Sequence, residues 1–596
     1  MSRATRQNPQ RARSTKLLRV SRSRRADFLV GVVSLLLALW VTNGLWVDPA
    51  RRASEVNSGD QALFEWLLSY GAYAITHGVD PLYTNLLNAP GSVNLAVNTS
   101  VTAYAVLFAP LTMTLGAPLS FLVILTLNLA GSAFAWYWLF NRHLGAGPLG
   151  AAIGGVFAGF APAMISHANA HLNWTAQWII PLIIARVIVL DRGGRAVRTG
   201  IGLGFLVAVC FSLAAEALFF IALALAVFSL VWIIITRPAG RGLLNVLKGL
   251  GSAALTAAVF LAYPLYLHFL GPQRYHGTGF DPKVHNEDLA AYAVWPERSL
   301  AGWAGLNTHL APNPTEENSF FGVPLMILLV FSFVLLWKRA EVKASAATAL
   351  VFVVLSLGPE LRFMGHLTGI WMPEALLGRL PVFNAALPSR LALVISPIVG
   401  VMLAWLTSAP KRGPRWAWIA AFAVALLPLI PLPILARDRE PVPHFISSGT
   451  WKSYVDHGEV IVPLPLPNDL LPDGQRWQAY ALADGDSVFR VPSGFFLGPG
   501  GPNGTGRIGP IPRPTASLLE GVARTGVVPP IGEEQREEAR EDLLYWDARI
   551  VVLADTVSGA HWTPHQAEVL EAATKLFGQP ERIDDVWVWR VEAPTG

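Results

Sequence analysis

The chain has 596 residues, 53% of them hydrophobic and 14% charged, with a mean hydropathy of +0.43. Its apolar residues gather in many runs of roughly 17–22, enough to cross a hydrocarbon core of about 30 Å at 1.5 Å per helical residue, which excludes a soluble globular protein. The net charge of +5 says less than its placement does: the basic residues cluster beside apolar runs, where they mark cytoplasmic ends rather than a nucleic-acid surface.

Residues 1–26 form a basic tail with nine Lys and Arg, expected in the cytoplasm. The apolar run from Phe28 to Trp46 is longer than a signal-peptide core and no small-residue cleavage site follows it, so it is expected to remain as a first, outward span. Residues 47–100 are too polar to cross. Within them, "NSGDQALFEW" places Asp60 a short way beyond that span, led by Gly59. From Asp60 to His77 the sequence sets Leu63, Phe64, Leu67, Leu68, Gly71, Ala74 and Ile75 on one helical face. This predicts an amphipathic helix lying along the outer interface with its apolar face toward the headgroups, ending at Gly78. The Pro- and Asn-rich stretch that follows, "VDPLYTNLLNAPGSVNLAVNTS", has irregular backbone that lipid cannot satisfy; it must pack on protein or line a wet cavity.

Residues 101–116 are apolar but short and interrupted by Pro110, which suits a segment that dips in and returns. Further spans are predicted near 119–140, 149–166, 175–191, 197–214, 217–236, 247–268, 321–337, 343–358, 391–408 and 416–436, about eleven crossings in all. With the basic clusters at 192–198, 237–241, 338–343 and 411–415 inside, the outer side receives 47–100, the turns "SHANAHLNW" and "SLAAEA", and the loops 269–320 and 359–390. Residues 441–596 also fall outside, and their composition is soluble-like. Short apolar strands "EVIVPLP", "RIVVLAD" and "DVWVWRV" are interleaved with helical patterns "EEQREEAREDLLYW" and "TPHQAEVLEAATKLFG", the second opened by a Thr cap. This predicts a small extracytoplasmic α/β domain. The stretch "GFFLGPGGPNGTGRIGPIPRP" lacks the GK[ST] of a phosphate cradle and is expected to be a loop. Cys210 is the only cysteine, which excludes intrachain disulfides and multi-cysteine metal sites.

Several outer residues are candidates for chemistry. His167 and His171, at i and i+4, sit where two imidazoles can share a metal or line a hydrogen-bonding cavity with Asn169 and Asn173. Glu216 is the single charge within a long apolar stretch, a costly placement that marks a site candidate over a snorkelling turn residue. Cations for an anionic ligand are available from Arg274, His276, Lys283 and Arg298, or from Arg362, Arg379 and Arg390. Of these Arg390 is best placed, where an outer loop becomes a span, with pairing to Glu360 or Glu374 as the structural alternative. Trp66, Trp174, Trp295 and Trp303 can stack on sugars, although interfaces enrich Trp in any case. Asp60 has a structural alternative too, as the N-cap of its helix.

An outward first span, an acid in the first outer loop, an interfacial helix ending in Gly78 and a Pro-containing segment leading to the next apolar run resemble the GT-C superfamily, integral-membrane glycosyltransferases that use polyprenyl-phosphate sugars. Protein O-mannosyltransferases and lipid A aminoarabinose transferases are examples. The resemblance covers the architecture of most of the chain and the residues around 57–95. It implies a GT-C-like membrane domain over 27–440, a soluble outer domain over 441–596 like that of several members, and Asp60 in the place of the family's catalytic acid. Gln61 stands where the mannosyltransferases carry a second acid, so this chain departs from that subfamily.

The implied activity is transfer of a hexosyl or pentosyl group from a polyprenyl-phosphate donor to a cell-envelope glycan, lipid or protein at the outer face of the plasma membrane. Such chemistry needs a carboxylate to take the acceptor's proton and cations, or a divalent metal, to neutralise the departing phosphate; no other cofactor is expected. A transporter or flippase of lipid-linked intermediates is the rival reading. It would be expected to show internal repeats and broken midplane helices, whereas this chain concentrates its polar residues on one face. A non-catalytic envelope assembly factor would share the same fold.

Overall fold

The computed structural model describes residues 24–190, 195–238, 242–409 and 413–591. The basic tail up to residue 23, and Arg192, Arg241, Lys411 and Arg412 of the later basic clusters, lie outside the described residues. Among the described residues, five helices are long and apolar enough to cross a membrane: Arg24–Trp46, Ala117–Arg142, Ala196–Thr236, Leu243–Phe269 and Pro388–Ser408. Shorter apolar helices accompany them at Pro148–Phe160, Ile179–Ile188, Val323–Leu336 and Arg415–Leu429, with Ala340–Ser356 alongside. The predicted spans near 149–166 and 175–191 are therefore broken. Helix Pro148–Phe160 stops before Pro162, which restarts the chain as Pro162–His167, and a single turn Leu172–Thr175 precedes Ile179–Ile188. Proline at a first helical turn is compatible with a start and not with continuation.

The helix Ala196–Thr236 contains a non-helical residue, Ala214, in "SLAAEA". Its first leg runs parallel to Leu243–Phe269: a Cβ on Gly200 would meet Gly249 and one on Gly204 would meet Ala253. Were Ala196–Thr236 straight, Thr236 would lie on the order of 50 Å along the axis from Gly200 at 1.5 Å per residue. The chain between Thr236 and Leu243 reaches at most about 25 Å. The helix must therefore fold back at Ala214, giving two legs with Glu216 at the bend. Ala117–Arg142 and Pro388–Ser408 are mostly buried in protein, while few residues of the most apolar stretches of Ala196–Thr236 and Leu243–Phe269 are buried. In the interior, helices approach through small residues: a Cβ on Gly154 would lie 2.1 Å from the Gly400 carbonyl oxygen, so only glycine allows that spacing.

After Arg439 the chain builds a four-stranded sheet. Val460–Leu464 pairs in parallel with Ala548–Ala554, which pairs antiparallel with Val586–Arg590 and, beyond it, Glu581–Ile583. Val460–Leu464 is buried along its whole length and Ala548–Ala554 from Ile550 onward, as expected of parallel strands covered on both faces. Helices Asp473–Asp484, Pro514–Thr525, Glu533–Tyr545 and Gln566–Phe577 pack around the sheet. The last begins at Gln566 behind His565 without a side-chain cap, so the expected Thr563 cap is not formed.

The largest departure from expectation is Ser58–His77. Predicted to lie half in the headgroups, it is instead buried on nearly every face from Ser58 to Ala74. Asp473–Asp484 packs on one side of it and the segments Thr102–Leu107, Ala109–Leu115 and Ala117–Arg142 on others. The Trp66 indole donates to Gln478 Oε1 at 2.7 Å. Arg439 sends its two terminal nitrogens to the two oxygens of Glu65, both at 2.9 Å. The apolar stripe is real, but the opposite face carries Glu65 and Trp66, whose partners Arg439 and Gln478 lie hundreds of positions away.

Candidate active site

Ser58–His77 starts at Asn57, whose side-chain oxygen accepts from the Asp60 backbone N–H at 3.4 Å. Asp60 is thus in the first turn, where its carboxylate complements the helix dipole, and Asn57 rather than Asp60 is the cap. The Asn57 amide donates to Asp60 Oδ2 at 2.6 Å and to the Asn169 carbonyl at 3.0 Å. His171 Nε2 donates to the same Oδ2 at 3.1 Å. Burial pushes the Asp60 carboxyl up, but the bonds from His171 and Asn57 and the positive charge of Arg390 outweigh it, leaving the group below its ordinary value.

His171 in turn meets His167, Nδ1 to Nδ1, at 2.8 Å. One of these nitrogens must carry a proton and the other must not. Burial holds His167 well below the usual histidine range, so it is neutral. The His167 ring stacks on Trp174, and its Nε2 is buried without a partner.

A few ångströms beyond stands Arg390. Its Nε and Nη2 donate to Glu316 Oε1 at 2.8 and 2.7 Å, and Nη1 reaches Glu216 Oε2 at 3.4 Å. Glu316 Oε2 accepts from Asn318 at 3.0 Å and from Ser389 at 3.3 Å, while Glu216 Oε1 takes the Leu387 N–H at 3.0 Å. Burial opposes the charge on Glu316, yet the charge and hydrogen bonds of Arg390 bring its carboxyl down to about 2. The guanidinium also faces the Trp174 ring at 5.5 Å, a cation–π geometry. Arg390 therefore pairs with neither Glu360, which binds Lys283, nor Glu374.

The C-terminal part of the chain closes one side. A Cβ on Gly59 would lie 2.3 Å from the Asp469 carbonyl oxygen, so glycine beside Asp60 is what admits the loop following Val460–Leu464. Burial, and then the negative charge of Asp60, push the Asp469 carboxyl up. Beside Trp174 an apolar crevice is lined by Trp136, Trp174, Phe220, Ile221, Leu393 and Val394.

His167, His171 and Glu316 bring potential ligand atoms within 4.8 Å of one another, and two imidazoles with a carboxylate are a sound donor set for a divalent ion. As arranged, the two Nδ1 atoms do not serve one ion together. Two nitrogens bound to a tetrahedral ion stand roughly 3.3 Å apart, whereas these two Nδ1 atoms are in hydrogen-bond contact with each other, and both Glu316 oxygens are engaged.

Of the residues singled out in the sequence, Asp60, His167, His171, Glu216 and Arg390 meet in this cluster. Asn169 borders it, accepting from Ser54 and donating to the Ser166 carbonyl. Arg274 does not join: its guanidinium is spent on the Phe269 carbonyl. Asn57, Glu316 and Asp469 were not anticipated. Glu316 had a signal, since "PTEEN" puts two adjacent acids in a long loop after proline; Asp469 had none, because only the fold brings it to Gly59.

No family model matches the chain, and no curated protein matches it. Solved structures do. The oligosaccharyltransferase AglB of the archaeon Archaeoglobus fulgidus, in complex with an inhibitory peptide and a dolichol-phosphate, is similar at a TM-score of 0.45 and 11% identity, over 89% of this chain and 69% of that one. The apo form from the same organism is similar at 0.49 and 10%, over 89% and 70%. The mycobacterial arabinofuranosyltransferase AftD is similar at 0.48 and 14%, over 90% of this chain and 37% of that one. With likenesses this distant, the chemistry has to be argued from the side chains.

Proposed function

We propose that this protein is a membrane glycosyltransferase that moves a sugar from a polyprenyl-phosphate donor to a cell-envelope acceptor at the outer face, with Asp60 as general base. The observation that carries this reading is the state of Asp60: a carboxylate kept ionised and oriented by His171 and Asn57, beside a buried guanidinium, at the edge of a bundle of apolar helices. In the reaction the Asp60 carboxylate takes the proton of an acceptor hydroxyl as that oxygen attacks the anomeric carbon. The bond from the anomeric carbon to the phosphate oxygen breaks, and its electron pair leaves with the lipid phosphate. Asn57 and His171 hold Oδ2 in place, so the other oxygen, Oδ1, faces the acceptor.

The departing charge calls for a cation. Arg390 supplies it through Nη1, which Glu216 holds at only 3.4 Å while Glu316 secures the other edge of the guanidinium. A phosphate oxygen replaces Glu216 at that nitrogen. The crevice between Phe220 and Leu393 is the side from which an apolar donor chain reaches Trp174 and Arg390. The loop carrying Asp469 forms the acceptor side.

The test is Asp60→Asn, assayed with a polyprenyl-phosphate sugar on purified, folded protein. The asparagine keeps the shape but not the basicity, so transfer is expected to fall by roughly 10² or more with donor binding retained. Retention of most activity would reduce Asp60 to part of a helix terminus.

A further inference from the structure

Between helices Ala340–Ser356 and Pro388–Ser408 the chain forms a hairpin, Glu360–Phe363 paired antiparallel with His366–Trp371. Every residue of the second strand is exposed. On the hairpin and the turn after it, Phe363, Met364, Leu367, Ile370, Trp371 and Leu376 all present their side chains outward, Trp371 at 75% exposure. The hairpin is nevertheless firmly built. Asp288, itself fully buried, accepts from the backbone N–H of Met364 at 3.0 Å and of Gly365 at 2.6 Å. Arg362 Nε donates to Asn286 at 3.0 Å, and Glu360 takes the Gly369 N–H at 2.9 Å and Lys283 at 2.8 Å. Two buried residues, Asn286 and Asp288, thus fix a two-stranded element whose outer surface is apolar.

We propose that this hairpin docks in the interfacial zone of the lipid bilayer, where it anchors the site to the membrane surface. Both chain ends that carry it belong to apolar helices, one of them long enough to span, so the element stands where these largely protein-covered helices end. Its chemistry matches headgroups and upper acyl chains: an exposed Trp among aliphatic side chains, with the exposed Arg379 and His366 beside them. From 357 to 387 the chain has two carboxylates, Glu360, paired with Lys283, and Glu374, which is buried. Within that segment no unpaired exposed acid repels a phosphate surface; the exposed Asp281 next to it lies beside Lys283. The same segment ends at Leu387, whose N–H binds Glu216, and Ser389, whose N–H binds the His285 carbonyl. Docking therefore sets the depth of Arg390 relative to lipid phosphates. The inference stands independently of any transferase activity.

The test uses the full chain with Cys210→Ser, carrying single cysteines Leu367→Cys, Trp371→Cys or Ser448→Cys, each with a nitroxide label, in liposomes of phosphatidylethanolamine and phosphatidylglycerol. Ser448 is exposed in the sheet-bearing part of the chain and serves as the aqueous reference. Collision with oxygen and with a water-soluble nickel chelate is read by power saturation. Labels at 367 and 371 are expected to favour oxygen over the chelate several-fold relative to the label at 448. Chelate accessibility at 367 and 371 equal to that at 448 would overturn the proposal. So would dipolar broadening between labels at 371 that disappears on dilution with unlabelled protein, because that result assigns the surface to a second copy of the chain. Because all three positions are exposed, unchanged melting temperatures are expected and are checked on the same samples.

Discussion

Among the arginines that meet carboxylates inside this protein, Arg439 and Arg390 differ in what surrounds them. Arg439 faces Glu65 one to one, through two parallel bonds of 2.9 Å, with both side chains 3% exposed. Its remaining nitrogen binds the Ala50 carbonyl. The pair ties the chain after the last apolar helix to Ser58–His77, and nothing in it is left over. Arg390 faces Glu316 and Glu216 together, with Asp60 a third acid in the same cluster. Around it His167 Nε2, Asn318 Oδ1 and Glu287 Oε1 are buried without partners. A satisfied, balanced pair fixes structure; an unbalanced cluster with unpaired polar atoms is where a ligand's hydroxyls and phosphate complete the bonding.

The contrast is broken most severely at the balanced pair. Glu65→Ala leaves a buried guanidinium without its anion, expected to cost about 3–5 kcal/mol and to lower the melting temperature by several degrees. Transfer per folded molecule should hold, since Glu65 touches no part of the cluster. A normal melting temperature with lost activity would reverse the roles assigned to the two pairs.

Arg390→Ala should act on both counts but less on stability alone. It removes charge-assisted bonds worth about 1.5–3 kcal/mol each, so donor affinity is expected to weaken tenfold or more. Arg390→Lys should recover only part, because an ammonium lacks the planar fork that spans Glu316 and a phosphate together. Binding and melting temperature measured on the same preparations separate the roles: unchanged affinity with a lowered melting point makes Arg390 purely structural.

How much of this was legible beforehand follows from range. The long apolar helices announce themselves through local composition, and so does the bend at Ala214, where Glu216 interrupts an apolar run. The three strands Val460–Leu464, Ala548–Ala554 and Val586–Arg590 fall on the three short apolar segments. What failed was neighbourhood. Ser58–His77 has an amphipathic pattern, but whether its apolar face meets lipid or protein depends on Asp473–Asp484, four hundred residues later. Arg390 stood out as a cation at a span boundary, whereas its anions come from a loop and a bend with no fixed spacing from it. Asp469 reaches Gly59 only because a parallel strand ends there. Periodicity reports a residue's own element; it carries nothing about which distant element covers it.

Acidity sharpens the comparison further. Asp60 and Glu316 both lie below their ordinary carboxyl values of 3.8 and 4.5, Glu316 at about 2. Groups depressed in the folded state contribute stability that is complete above their unfolded values and lost as pH falls through the folded ones. Melting temperature should therefore change little on these groups' account from pH 8 to 5 and decline below about 4. The acid limb of kcat/KM due to Asp60 should likewise lie below pH 3.8. A carboxylate limb near neutrality would mean that Asp60 is held protonated and is not the base.

The smallest expected effect is the most discriminating. Glu216 is one carboxylate more than Arg390 needs, and its contact at 3.4 Å is the longest the guanidinium makes. Glu216→Gln keeps an oxygen for the Leu387 N–H while removing the charge that competes for Nη1. If a donor phosphate takes Nη1, the substitution should tighten donor binding by about 1 kcal/mol, roughly fivefold, the scale of one weak ion pair. An unphosphorylated polyprenol should bind as before, which ties the gain to the phosphate. Should Glu216 instead accept a hydroxyl of the donor sugar, affinity for the glycosylated donor falls while that for bare polyprenyl phosphate still rises. Unchanged affinity for all three ligands would place Glu216 with Glu65, as an anion that holds the fold and meets no substrate.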